Sequence, residues 1–72
     1  MEFLKSIGFQ PRTYEGWHAK VLILGMEKIF KTFEDARRAQ EKIAKFCRKN
    51  VPELIGCRIE AVEGDFSCWY YI

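Results

Sequence analysis

The sequence predicts an α+β fold in which one antiparallel sheet packs a single main helix against one of its faces. One long segment has helical periodicity, four short segments have the composition of strands, and glycine-containing pairs divide these strands into two hairpins. The expected order is arm–β–β–α–β–β in one domain of residues 1–72. The arm covers residues 1–16, the first hairpin 17–31, the helix 32–50 and the second hairpin 54–72.

The main helix is predicted over about residues 33–50. Apolar side chains recur there at steps of three and four residues, which places them on one stripe: Phe33, Ala36, Ala39, Ile43, Ala44, Phe46, Cys47 and Val51. Thr32 suits the N-cap, because its hydroxyl can accept a hydrogen bond from a free backbone N–H group. Asn50 can adopt a left-handed conformation after the last turn, and Pro52 prevents the helix from continuing.

The first hairpin is predicted from residues 17–24 and 27–31, joined by a turn at Gly25-Met26. Alternation directs one set of side chains toward the helix: Trp17, Ala19, Val21, Ile23 and Phe30. The other face of this hairpin then carries His18, Lys20, Leu22, Leu24, Ile29 and Lys31. Three large apolar residues on a face expected to meet solvent indicate that something covers it.

The second hairpin is predicted from strands at 54–62 and 65–72 around a Glu63-Gly64 turn. One face collects eight residues that can all be buried: Ile55, Cys57, Ile59, Ala61, Phe66, Cys68, Tyr70 and Ile72. A shift of the turn to Gly64-Asp65 leaves this division of faces unchanged. On the other face Arg58 lies across from Trp69, as a cation–π pair would require, and Tyr71 follows on the same side.

The arm has two alternative structures. Phe3, Leu4 and Ile7 could share one face of a short helix that ends at Gly8, or Ile7 and Phe9 could belong to an edge strand in which Pro11 restricts pairing. In either form, the arm could fold over the second face of the sheet.

The charge distribution and the cysteine content limit which kinds of partner and which cellular location fit the sequence. The net charge is +2, but residues 1–50 hold 11 Lys/Arg and 6 Asp/Glu, a net of +5, whereas residues 51–72 carry a net of −3. This asymmetry suits binding to an anion or head-to-tail self-association. Three cysteines without a signal peptide predict free thiols and a cytoplasmic location, and no apolar run is long enough for a membrane span.

We expect no enzyme activity, no metal site and no cofactor. His18 and the three cysteines are zinc-ligand types, but their spacing lacks the close pairs of known structural zinc sites. The predicted strands and helix direct the thiols toward the core and His18 away from it, so no Cys/His nucleophile pair forms.

Residues 17–39, WHAKVLILGMEKIFKTFEDARRA, resemble the arm-site DNA-binding domain of integrases. The matching positions are Trp17, Ala19, Val21, Ile23, Phe30, Thr32, Ala36 and Ala39. The resemblance implies three strands on one helix, with the exposed sheet face entering the major groove. His18, Lys20 and Lys31 fit that role, whereas Leu22, Leu24, Glu27 and Ile29 depart from it. The acidic hairpin after residue 50 has no counterpart in that family.

Two functions follow as expectations. The first is a protein-interaction module that binds another protein or a second copy through Leu22, Leu24, Ile29, Arg58, Trp69 and Tyr71, because aromatic residues and arginine dominate binding interfaces. In size and style this is similar to small phage or mobile-element proteins that bind a host protein. The alternative is DNA binding through His18, Lys20, Lys31, Arg37, Arg38 and Lys45, with an affinity that falls with salt.

Overall fold

The computed structural model describes residues 2–12 and 18–72, which form one five-stranded antiparallel sheet with helices on one side. The helices are α1 (Glu2–Ser6), α2 (Phe33–Asn50) and a short 3₁₀ helix at Pro52–Leu54. The strands are β1 (Gln10–Pro11), β2 (Ala19–Ile23), β3 (Met26–Phe30), β4 (Arg58–Glu63) and β5 (Phe66–Tyr71), in the spatial order β1-β3-β2-β4-β5. The α+β class is confirmed, and the arm adds a fifth strand. Residues 13–17, which include Trp17 of the predicted inner face, lie outside the described residues.

Helix α2 begins where the sequence predicts. Thr32 has an extended backbone (φ −134°, ψ 161°), and its hydroxyl oxygen accepts the backbone N–H of Asp35 at 3.1 Å. The residues that α2 buries are Ala36, Gln40, Ala44 and Cys47. Two positions differ from the predicted stripe, because Gln40 is completely buried and the Phe46 side chain is 49% exposed.

The end of α2 differs in one detail. Asn50 does not adopt the left-handed conformation; it is the last helical residue, and its Nδ2 donates to the carbonyl oxygen of Phe46 at 2.9 Å. The N–H of Val51 still donates to Cys47 O at 2.7 Å. Pro52 then ends the helix, because it has no N–H and disfavours a helical conformation in the residue before it.

The core lies between α2 and the inner face of the sheet, which is the face that contacts α2. Five inner-face residues of β2 and β4 are at most 2% exposed: Ala19, Val21, Ile23, Ile59 and Ala61. Register pairs Ala19 with Phe30 and Val21 with Ala61, so side chains from three strands meet in one layer. The predicted division of faces in β2 therefore holds for every described residue of the strand.

The turn of the first hairpin is Leu24-Gly25, one residue earlier than predicted. Leu24 has a positive φ of 48°, a conformation that is costly for a large side chain. This turn makes Met26 the partner of Ile23 on the inner face, where Met26 is only 8% exposed. A turn at Gly25-Met26 would have exposed Met26. Burial of Met26 offsets the strain at Leu24.

The second hairpin also differs from the predicted bounds. Its first strand begins at Arg58 and not at Leu54, because the chain after Pro52 forms a 3₁₀ helix and then turns at Gly56 with a φ of +96°. The hairpin turn is Gly64-Asp65, and the register pairs Glu63 with Phe66. The division of faces is the one that the sequence predicts.

Two residues of the expected inner set are exposed, and Cys57, Cys68 and Tyr70 are only partly buried. Ile55 is 55% exposed because it lies in the turn before β4 and not in the strand. Phe66 is 70% exposed at the end of the hairpin, where its ring only tilts against Phe33 at a centroid distance of 6.2 Å.

The arm contains a short helix and an edge strand, but the strand is Gln10–Pro11 and includes neither Ile7 nor Phe9, which the second alternative had placed in it. Helix α1 comes first, and β1 then pairs with β3 as a two-residue edge strand that includes Pro11. Leu4 is fully buried in the core, and Phe3 stacks on Phe46 of α2 with ring centroids 5.6 Å apart. The arm therefore packs beside α2, so Phe3 and Leu4 do not cover the opposite face of the sheet.

Candidate protein-interaction surface

The open face is the side of the sheet opposite α2. Residues paired across antiparallel strands point to the same side, so the register defines this face. It comprises Gln10, Lys20, Leu22, Glu27, Ile29, Arg58, Glu60, Val62, Ser67, Trp69 and Tyr71. One row crosses four strands from Glu27 through Leu22 and Glu60 to Trp69. Five of the six residues that the sequence assigns to partner binding thus lie on one face.

The half of the open face on β3 and β2 offers little free surface. The side chain of Glu27 is fully buried and that of Lys20 is 15% exposed, with Lys20 Nζ 3.8 Å from Glu27 Oε1. Gln10 Nε2 donates to Glu27 Oε2 at 3.4 Å. Leu22 and Ile29 are half-buried beside this pair. These two apolar residues are therefore less available to a partner than the sequence suggests.

The half on β4 and β5 is the exposed one. Trp69 is 57% and Tyr71 is 56% exposed, although both lie on a regular strand. The Arg58 guanidinium carbon lies 4.3 Å from the centroid of the Trp69 ring, which is cation–π geometry. Arg58 is paired with Tyr71 in the observed register, so it reaches Trp69 along the diagonal. We call Arg58, Trp69 and Tyr71 the aromatic patch.

One hydrogen bond lies beside the aromatic patch, and one cation–π contact lies within it. The hydroxyl of Ser67 donates to Glu60 Oε2 at 2.8 Å, beside the pair formed by Glu60 and Trp69. Because the Arg58 guanidinium lies over the Trp69 ring, rotation of the indole would break this cation–π contact. A partner would therefore meet large side chains whose conformational freedom is already reduced, which lowers the entropy cost of binding.

Leu24 is not part of the strand face, contrary to the sequence-based assignment. It lies in the turn and is 52% exposed. It borders a concavity of about 160 Å³ at the end of the open face, lined by Arg12, Leu22, Ile23, Leu24, Gly25, Met26, Arg58 and Glu60. Leu24 therefore lies at the margin of the open face, where it shares this concavity with Arg58.

The basic residues expected to bind DNA do not form one surface. They are His18, Lys20, Lys31, Arg37, Arg38 and Lys45. Arg37, Arg38 and Lys45 belong to α2, whereas Lys20 points to the open face on the other side of the sheet. Arg37 and Arg38 each form an ion pair with a glutamate on the same helix, and Lys20 pairs with Glu27. His18, Lys31 and Lys45 are exposed.

The three cysteines are free thiols. Cys47 is fully buried on α2, and burial raises the pKa of its thiol, which reduces the fraction present as the nucleophilic thiolate. Cys57 and Cys68 are partly buried. Across residues 2–12 and 18–72, no group of three His, Cys, Asp or Glu side chains is arranged to hold a metal ion.

Two structural features escaped the sequence analysis. Gln40 lies within the apolar stripe of α2 but was not counted in it. Its side chain is uncharged, which was a signal that this position could be buried. The second feature is a groove of about 250 Å³ on the helical side, lined by Ile7, Lys28, Lys42, Ile43 and Phe46. Lys28 Nζ donates to Ile7 O at 2.9 Å in this groove, which closes the end of α1.

No protein family, no curated protein and no solved structure matches this chain. No helix in the described part of the chain combines the length and the apolar character that a membrane crossing needs.

Proposed function

We propose that this chain is a small, non-enzymatic protein-interaction module that binds another protein through its aromatic patch. The observation that carries the proposal is the exposure of Trp69 and Tyr71, which are each more than half exposed although they lie on a strand that pairs regularly with β4. Tryptophan, tyrosine and arginine are the residues most enriched among those that dominate binding energy at interfaces. The aromatic patch combines all three.

The geometry of the arm supports this proposal. An arm folded over the open face would have given Trp69 and Tyr71 a structural role in the core. Phe3 and Leu4 instead pack on the helical side, so they leave this half of the face to solvent. Clusters of exposed large apolar side chains on a small protein commonly mark an interaction site.

Quantitative capture from an extract of the source cells tests the proposal. Immobilised wild-type protein is compared with Trp69→Ser and with the matched control Phe66→Ser, which removes an exposed aromatic from the same strand but the opposite face. We expect a protein retained by the wild type and by Phe66→Ser. Its retention should fall at least about tenfold with Trp69→Ser, as loss of a dominant contact implies.

Retention that is equal for all three proteins would contradict the proposal. The DNA-binding alternative is measured separately, by the fluorescence anisotropy of a labelled duplex at low salt. Affinity that decreases steeply with salt and is weakened by Lys31→Ser would favour that alternative over protein binding.

A further inference from the structure

The outer edge of β5 is the basis of the inference. β5 is the last strand of the sheet, and no described strand lies beyond it. Residues in an antiparallel ladder alternate between exchanging hydrogen bonds with their neighbour and turning their backbone groups away. The N–H of Ile72 donates to Cys57 O, so Tyr70 and Cys68, at steps of two, also face β4. The backbone groups of the alternate residues therefore point outward: Ser67, Trp69 and Tyr71.

The residues of β5 itself lack the features that normally prevent an edge strand from pairing with another chain. Natural edge strands carry lysine, proline, a bulge or a short length for that purpose. The sequence of β5, FSCWYY, contains neither a charge nor a proline, and its six residues pair regularly with β4. The opposite edge of the sheet is different, because β1 has only two residues and one of them is Pro11.

Charges at the two ends of β5 are opposite. Arg48 of α2 reaches the outer edge at one end, where its Nη2 donates to Tyr71 O at 3.2 Å. Asp65 lies in the hairpin turn at the other end and is exposed. Two such strands placed side by side in antiparallel orientation bring Arg48 of each copy toward Asp65 of the other. The edge is thus complementary to itself.

We propose that β5 pairs with β5 of a second copy of this chain, which joins two five-stranded sheets into one of ten strands. This inference goes beyond the proposed function, because the pairing uses backbone groups at the edge of β5 and leaves the aromatic patch free to bind another protein. A two-fold axis at Trp69 uses all of the outward backbone groups, because Trp69 then pairs with Trp69 of the second copy and Ser67 pairs with Tyr71. The two aromatic patches become one continuous surface across the axis.

A backbone substitution tests the pairing without removing a side chain. In a chemically synthesised full chain, the amide of Trp69 carries an N-methyl group. Because this N–H points away from β4, the monomer should keep its fold, as checked by circular dichroism. At the two-fold axis the same group removes two hydrogen bonds and introduces two clashing methyl groups. In sedimentation equilibrium we expect wild-type protein to reach twice its 8.5 kDa monomer mass, and the methylated protein to need at least about a hundredfold higher concentration.

Register and charge are tested independently. Isotope-filtered NMR on mixed labelled dimers should detect a contact between the α-protons of Cys68 and Tyr70 of the second copy, which form a close non-hydrogen-bonded pair in this arrangement. Arg48→Asp should weaken the dimer, and the double variant with Asp65→Arg should recover it.

Other outcomes would overturn the inference. Wild-type protein that stays monomeric at millimolar concentration excludes self-pairing, while capture of another protein through the aromatic patch would still support the proposed function. A dimer that survives N-methylation of Trp69 does not use the β5 edge. Contacts between Trp69 and Leu22 of the second copy would likewise show that the two copies stack through their open faces.

Discussion

Replacement of Gln40 by leucine tests whether a buried amide holds α2 to the sheet. Gln40 is fully buried, and its Nε2 donates to Ile59 O at 2.7 Å and to Cys68 O at 2.8 Å. One side chain of the helix therefore bridges the carbonyl groups of β4 and β5. Its Oε1 accepts a hydrogen bond from Arg37 Nη1, so both the nitrogen and the oxygen of the amide are hydrogen-bonded.

The magnitude follows from the two bonds. Leucine fills nearly the same volume, so the change removes hydrogen bonds without opening a large cavity. The two neutral hydrogen bonds to the sheet contribute about 1 kcal/mol each, net, which gives a loss of at least about 2 kcal/mol in the free energy of unfolding. The bond from Arg37 is lost as well, but the Arg37 side chain is partly exposed and can bond to water instead. Gln40→Ala adds a cavity, and the total loss should reach about 4 kcal/mol. That is a large part of the stability expected for a domain of 72 residues.

Urea denaturation followed by circular dichroism measures the effect. With a slope of about 1 kcal/mol per molar for a domain of this size, Gln40→Leu should lower the midpoint by roughly 2 M. Lys45→Leu is the control, because it introduces the same side chain at an exposed position of the same helix. An unchanged or higher midpoint for Gln40→Leu would refute the reasoning, since it would mean that apolar packing there contributes as much as the two bonds.

Two further predictions concern the turn and the buried thiol. Leu24→Asn should raise the free energy of unfolding by about 1 kcal/mol and the melting temperature by roughly 4–8 °C, because asparagine tolerates the positive φ that Leu24 adopts; an unchanged or lower melting temperature in calorimetry would contradict this. Cys47 should react with a thiol reagent more slowly than Cys57 and Cys68, because burial raises its pKa and blocks access. The unfolded state loses the Cys47 proton at lower pH than the folded state. The stability that this thiol contributes should therefore fall as the pH rises above the ordinary pKa of a cysteine thiol. The Cys47→Ala variant should not show that part of the pH dependence.

Local patterns were enough to predict α2 and the two hairpins. The cap at Thr32 and the division of faces in β2 and β5 depend on residues within a few positions of one another. A turn shifted by one residue, as at Leu24-Gly25, keeps the other strand residues on their predicted faces, so it moved only Leu24 out of the open face and Met26 into the core.

Register and the path of the arm depend on residues that are far apart in the sequence. The turn at Leu24-Gly25 places Met26 in the core that α2 helps to form, against the local preference for glycine at a positive φ. Gln40 is buried because two carbonyl groups from strands 19 and 28 residues later lie within its reach. No local pattern contains that information.

The amino-acid order alone established that one side of the sheet would carry Trp69, Tyr71 and Leu22, because alternation in a strand is set by its own residues. Only the folded chain decided which of them stay accessible. Leu22 is half-buried, whereas Trp69 lies on an edge strand that the described part of the arm, residues 2–12, does not reach, because Phe3 stacks on α2 instead. Side-chain direction is a local property of the backbone, but burial is the sum of contacts from the whole chain, and these exist only after it has folded.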